Sequence, residues 1–84
     1  MYKLLFDKES IDFLNKLQKQ VKERIFKKII SSKENPFKSF ARLTGRADYK
    51  LRVGDYRVIA DIDEKTKTIK ITLIDHRQNI YKRI

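Results

Sequence analysis

The sequence has no cysteine and no tryptophan, and only one histidine, one proline and two glycines in 84 residues. Without cysteine there is neither a disulfide framework nor a thiolate nucleophile, and a single histidine cannot complete a standard structural zinc site. No metal is therefore expected. Gly45 and Gly54 are the only glycines, so there is no glycine-rich phosphate loop. Nucleoside triphosphate hydrolysis is excluded, and no cofactor is expected. No apolar run approaches the roughly 18 residues of a membrane span, and Met1-Tyr2-Lys3 leads into a strand pattern instead of a signal peptide. The expectation is a soluble, cytoplasmic protein with no membrane partner. Internal repeats and low-complexity tracts are also lacking, and a chain of this length has room for one core, giving a single domain over residues 1–84.

Positive charge and aliphatic residues are what the chain does have. Lys and Arg total 21 against 11 acids, a net charge of +10. Residues 1–42 carry 11 cations and 5 anions, residues 43–84 carry 10 and 6, so the excess is no detachable tail. A basic field spread over the whole domain favours nucleic acid, a ribosome or an acidic protein as partner. A solvated, lysine-rich surface is the plainer alternative. Ile, Leu, Val and Phe total 26, enough for one two-layer core. A domain this small buries only about 60% of its unfolded surface, so a stabilising partner fits.

Tyr2 to Phe6 reads as a short apolar strand, with Asp7 as an N-cap for the segment that follows. Ile11, Leu14, Leu17, Val21, Ile25 and Ile29 then recur at helical spacing. A single rod of about 25 residues would overhang so small a domain, so two helices are expected, turning at Gln18-Lys19-Gln20. Ser31 to Ser39, with Pro36, reads as a loop pinned by Phe37, Phe40 and Leu43. A further strand runs from Thr68 to Ile74, with Ile69, Ile71 and Leu73 on one face and Lys70, Thr72 and Ile74 on the other. Residues 75–84 are basic and short, with helical character. The fold class is α+β: an N-terminal strand, a two-helix hairpin packed on a small antiparallel β-sheet, and a short basic C-terminal segment.

The chemistry concentrates in Tyr49-Lys50-Leu51-Arg52-Val53-Gly54-Asp55-Tyr56-Arg57. Period-2 alternation on both sides of Gly54-Asp55 predicts a hairpin with a type II′ turn, placing Val53 opposite Tyr56 and Arg52 opposite Arg57. Lys50 falls on the same face. Like charges across a sheet repel, so this arrangement calls for an anion, and phosphate is the natural one. Packing Leu51, Val53, Val58, Ala60, Ile69 and Ile71 on the helices leaves Lys50, Arg52 and Arg57 on an open face.

Metal-free cleavage of RNA needs a base for the 2′-hydroxyl, cations for the phosphate and an acid for the leaving oxygen. Lys50 can be the base if its neighbours lower its pKa; an ordinary strand lysine is the bland reading. Arg52 and Arg57 suit a phosphate, or else pair with Asp48, Asp61 or a C-terminal acid. The lone His76 is more often structural than catalytic, although its chemistry suits acid–base work; it is placed with Arg52 among the phosphate contacts. Arg77 reaches the cationic face only if the strand ends or bulges near Asp75. Tyr81 can stack on a base or cap the sheet edge.

The chain resembles the RelE/ParE toxin superfamily, RelE-like branch, over essentially its full length. The likeness is carried by the Tyr2-to-Phe6 strand, the lysine-rich helices, Leu43-Thr44-Gly45, the Lys50-to-Val58 hairpin, and Asp75-His76-Arg77-Gln78-Asn79-Ile80-Tyr81. For the RelE branch the resemblance implies an mRNA interferase, a toxin that enters the ribosomal A site and cuts mRNA by 2′-hydroxyl attack. By position, Lys50 corresponds to the general base and Arg57 to the transition-state phosphate ligand. Arg77 corresponds to the acid or leaving-group stabiliser, Tyr81 to the stacking residue, and Arg52 to a supporting phosphate contact. Some members carry a basic residue where this chain has Asp48. The resemblance also implies an acidic antitoxin partner, with operator DNA bound only through the toxin–antitoxin complex. Two other readings stand beside it: a ParE-like, non-enzymatic toxin acting on gyrase, and a plain nucleic-acid-binding module.

Overall fold

Alternating side chains on both flanks of Gly54-Asp55 build the centre of a five-stranded sheet. The computed structural model describes residues 1–84. The chain runs β1 (Lys3–Phe6), α1 (Lys8–Lys16), α2 (Lys19–Ser31), α3 (Pro36–Ser39), β2 (Ala41–Arg42), β3 (Tyr49–Val53), β4 (Tyr56–Asp63), β5 (Thr68–His76) and α4 (Arg77–Arg83). The sheet order is β1-β5-β4-β3-β2. The β3-β4-β5 meander and β2 are antiparallel, whereas β1 lies parallel to β5, so the α+β layer is built on a mixed sheet.

The apolar stripe of α1 and α2 meets one face of this sheet. Leu14, Ile25 and Ile29 are buried against Leu51, Val53, Val58, Ala60, Ile69 and Ile71, with Leu17 and Val21 packed at the margin. Ile11 is the exception, more than two-fifths exposed. The helix break falls at Leu17 and Gln18, both extended, one residue earlier than the polar triplet suggests. Lys19 and Gln20 already belong to α2, because that phase keeps Val21, Ile25 and Ile29 on the sheet. Lys22 Nζ donates to Asn15 Oδ1 at 2.7 Å across the corner. Pro36 starts the single turn of α3 instead of marking open loop. A proline at the first helical position loses no hydrogen bond that the helix would have made.

Two further features depart from the expected sheet. Between Ile59 and Ala60 the pairing with β5 shifts: Ile59 faces Leu73, Ala60 faces Ile71, and Thr72 has no partner. The Thr72 hydroxyl donates to the Ile59 carbonyl at 3.3 Å across this bulge. An extra residue inverts the parity of everything after it. Leu73 therefore leaves the face of Ile69 and Ile71, and Ile74 enters the main core instead. The second departure is that the cationic face is not open along its whole length. Helix α4 lies across it, with Ile80 fully buried on Ile59 and Leu73, flanked by Leu43 and Ile84. No helix is long and apolar enough to cross a membrane.

Candidate active site

Gly54 adopts φ +57° while Asp55 does not have a positive φ, which fits the type II′ turn and not type I′. The resulting register is Val53 opposite Tyr56, Arg52 opposite Arg57 and Lys50 opposite Ile59. Residues facing one another across a ladder share a side of the sheet, so Lys50, Arg52 and Arg57 stand on one face as the alternation predicts. A Cβ at position 54 would also crowd the tip of Arg24, lying 3.0 Å from its Nη2. Arg24 comes from α2 to lie against the turn, a contact that nothing in the local sequence signals.

The repulsion between Arg52 and Arg57 is relieved by sending the two guanidiniums different ways. Arg52 extends into solvent with no ion pair. Arg57 is only 8% exposed and turns inward, Nη1 donating to the carbonyls of Gly54 and Tyr56 at 2.8 Å each. No salt bridge neutralises it. Neither Asp48 nor Asp61 pairs with Arg52 or Arg57: Asp48 is held by Arg46 through two hydrogen bonds of 2.8 Å. The bulge brings Asp75 directly across from Arg57, yet Asp75 is committed elsewhere. It accepts from Arg83 Nη1 at 3.0 Å, from the His76 N–H at 2.7 Å and from Asn79 Nδ2 at 3.4 Å. Arg83 also binds Glu9 of α1, fastening α4 to the body of the protein. Burial pushes the Asp75 carboxyl up, but its donors outweigh burial and hold it below the usual carboxylate range.

Helix α4 carries Tyr81 to Lys50. Lys50 Nζ donates to Tyr81 Oη at 2.8 Å and lies 5.2 Å from the ring centroid. Those two distances put the ammonium beyond the hydroxyl and not over the ring face, so the contact is a hydrogen bond and the aromatic face is left for stacking. Tyr81 is 51% exposed. The Lys50 hydrogen bond lowers the Tyr81 pKa from its ordinary value of 10.0, partial burial opposes it, and Arg57 adds to the lowering.

Arg77 stands at the tip of the hairpin. Its N–H donates to the Asp55 carbonyl at 2.7 Å and its Nε lies 3.7 Å from Asp55 Oδ1. Arg57 and Arg77 are thus both tied to the Gly54-Asp55 turn. The structure brings Lys50, Arg57 and Tyr81 together, with Arg52 and Arg77 at the tip. It does not bring His76 to them. His76 pairs with Tyr56 on the helix side of the sheet, its ring 5.5 Å from the Tyr56 ring, and its Nδ1 accepts from the Gln78 N–H to cap α4. The bulge at Thr72 puts Asp75 on the cationic face and His76 on the other, so the residue expected beside Arg52 stands on the face opposite Lys50, Arg52 and Arg57.

Residues 4–81 match the family model for the ParE toxin of the type II toxin–antitoxin system parDE. A search of the curated proteins returns no match. Among solved structures, the RelE–RelB complex of Pyrococcus horikoshii superposes with a TM-score of 0.78 at 29% identity, covering 90% of this chain and 94% of that one. The Escherichia coli RelBE complex gives 0.77 at 25% identity, covering 90% and 96%. The Mycobacterium tuberculosis RelBE2 complex gives 0.79 at 23% identity, covering 90% and 98%, a likeness of fold. The fold and the family match define a toxin of the type II class. The chain belongs to the ParE toxin family, within the RelE/ParE superfamily.

Proposed function

We propose that this toxin is a ribosome-dependent endoribonuclease that cuts mRNA in the A site without a metal. The carrying observation is the convergence of Lys50, Tyr81 and an Arg57 buried without any carboxylate partner on one face of the sheet. In this reading the ribose 2′-hydroxyl attacks the adjacent phosphorus while the bond from phosphorus to the 5′-oxygen breaks, leaving a cyclic phosphate and a 5′-hydroxyl. Lys50 is the general base that takes the 2′-proton. Arg57, anchored on two carbonyls through Nη1, turns its remaining donors to the equatorial oxygens as charge develops. Arg77, assisted by Arg52, stabilises the departing 5′-oxygen, which takes a proton from solvent water to become the 5′-hydroxyl, and the free face of Tyr81 stacks on a base. The partner is an antitoxin, as in the RelE–RelB complexes, and this chain's net charge of +10 favours an acidic one. DNA is bound only through that complex.

Primer extension on translated mRNA tests the reading. Cuts at defined codon positions should fall roughly a hundred- to a thousandfold in Arg57→Ala, the usual loss for one preorganised donor, and likewise in Arg77→Ala. Full cutting by both variants would count against it. A second reading, inhibition of gyrase, is favoured by the name of the matching family. DNA breaks that depend on gyrase, with mRNA intact, would establish it in place of the first.

A further inference from the structure

On the side of Lys50 away from the hairpin tip, the sheet face opens into a pocket of about 330 Å³. Its walls are Arg42, Leu43, Thr44, Lys50, Tyr81 and Ile84, with Arg46 at the rim. The floor is apolar, because Leu43 and Ile84 rest on the small core of Ile59, Leu73 and Ile80. The volume lies at the low end of small-molecule pockets, which run from about 300 to 1,000 Å³. That suits one mononucleotide unit.

The two arginines of this pocket differ. Arg46 is neutralised by its forked pair with Asp48, which also raises the Arg46 pKa. It builds the loop and offers no free charge. Arg42 donates only Nε, to the Arg46 carbonyl at 3.1 Å, and joins no ion pair. Its two terminal nitrogens are unengaged, at the mouth of a pocket that already contains Lys50 and one edge of Tyr81. An apolar floor, an aromatic wall and a free forked cation at the rim are the recognition elements of a single-stranded nucleotide, base inside and phosphate outside. An acidic peptide would use the cation and could set an aliphatic side chain on the floor, but it has no planar ring to lay against Tyr81 unless it carries an aromatic residue.

We infer that this pocket is a second nucleotide subsite, which seats the base of the nucleotide next to the scissile phosphate while Arg42 binds the following phosphate. The assignment rests on the proposed cleavage at Lys50 and Arg57, and it makes Arg42 a substrate-binding residue in this chain. Its test does not depend on cleavage. A trinucleotide lacking every 2′-hydroxyl cannot react, so it reports binding alone when titrated into the full chain and followed by amide NMR shifts.

The amides of Leu43, Thr44 and Ile84 should shift. Arg42→Gln should weaken binding about tenfold or more, the ordinary worth of a charged hydrogen bond, and reduce the salt slope by about 0.7, one phosphate contact on a single strand. Arg42→Lys should restore the slope without restoring the full affinity. Lys65→Gln, on the distant β4–β5 turn, should change nothing. Unchanged binding in Arg42→Gln overturns the subsite, as do shifts confined to the helices, no shift at all, or displacement of the trinucleotide from this pocket by an acidic peptide of equal length at lower concentration. If the trinucleotide binds as expected while the wild-type toxin leaves translated mRNA intact, the cleavage reading has failed and the pocket has not. If mRNA is cut while Arg42→Gln binds normally, only the subsite has failed.

Discussion

Arg57 shows how one side chain can be both buried and available. A desolvated guanidinium without a carboxylate is costly unless its donors are used, and two backbone carbonyls of the adjoining turn use them here. The charge is stabilised but not neutralised, and under the proposed function the substrate phosphate would supply the missing anion. Tyr81 registers the same field. Cations near a phenol favour the phenolate, so its pKa moves down. Titrated by ultraviolet absorbance, Tyr81 should ionise below the ordinary tyrosine value of 10.0, and Lys50→Met should move it back up, since the largest cause of the lowering is then gone. An unmoved Tyr81 titration in Lys50→Met would mean that the hydrogen bond between them does not form in solution. Of the proposed chemical set, Lys50, Arg52 and Arg57 were legible because alternation and a glycine turn fix a face. For Tyr81 the residues left stacking and an edge cap both open, Arg77 waited on a bulge near Asp75, and only the likeness gave each a definite role. Arg24 and Arg42 were not legible at all, because their roles depend on elements that are brought to the hairpin only in three dimensions.

Among the elements, the hairpin is the one on which the site depends, and its tip tolerates little change. Gly54→Ala combines a left-handed backbone, at φ +57°, with a Cβ crowding Arg24. The conformational part alone should cost about 1 kcal/mol or more, read as a lower midpoint of urea unfolding. Arg24→Ala added to Gly54→Ala should recover only the crowding part, and full recovery would show the backbone not to be strained. Helix α4 is the second such element. Its single fully buried side chain is Ile80, and Ile80→Ala should cost roughly 2–5 kcal/mol if the gap does not close. Tyr81 should then lose Lys50, visible as a Tyr81 pKa returning toward its ordinary value; a stable α4 with an unchanged titration would contradict this packing. These elements also mark where sequence reasoning stops. Strands with strict alternation were readable, as were helices with a continuous stripe. A two-residue β2 is too short to alternate, Pro36 signals equally a loop or a helix start, and the bulge at Thr72 is decided by pairing across the sheet. That one unpaired residue is why Ile74 and Leu73 exchange faces and why His76 is not at the site.

For the whole molecule the controlling quantity is a net charge of +10, carried in two halves that are both basic. Each buried or paired carboxylate matters more in such a field, and two are held below the usual range. Asp48 is lowered by the hydrogen bonds from Arg46 against the upward push of burial. In Asp75 burial pushes up, and Arg83, the His76 N–H and Asn79 more than offset it. A carboxyl with a lowered folded-state pKa contributes stability in full above its unfolded value, near about 3.9, and loses it as pH falls through the folded value. Over the same range the remaining acids protonate and self-repulsion grows. The melting temperature should therefore hold above about pH 5 and fall steeply below about pH 4. The two causes separate by salt and by substitution. Added salt screens the general repulsion and should recover part of the loss in the native chain at low pH. Asp75→Asn should melt lower than the native chain at neutral pH, because Arg83 loses its charged partner, yet decline less on acidification, because that carboxyl no longer titrates. Parallel acid limbs for the two proteins would mean that Asp75 does not fasten α4 and that repulsion alone governs the acid transition.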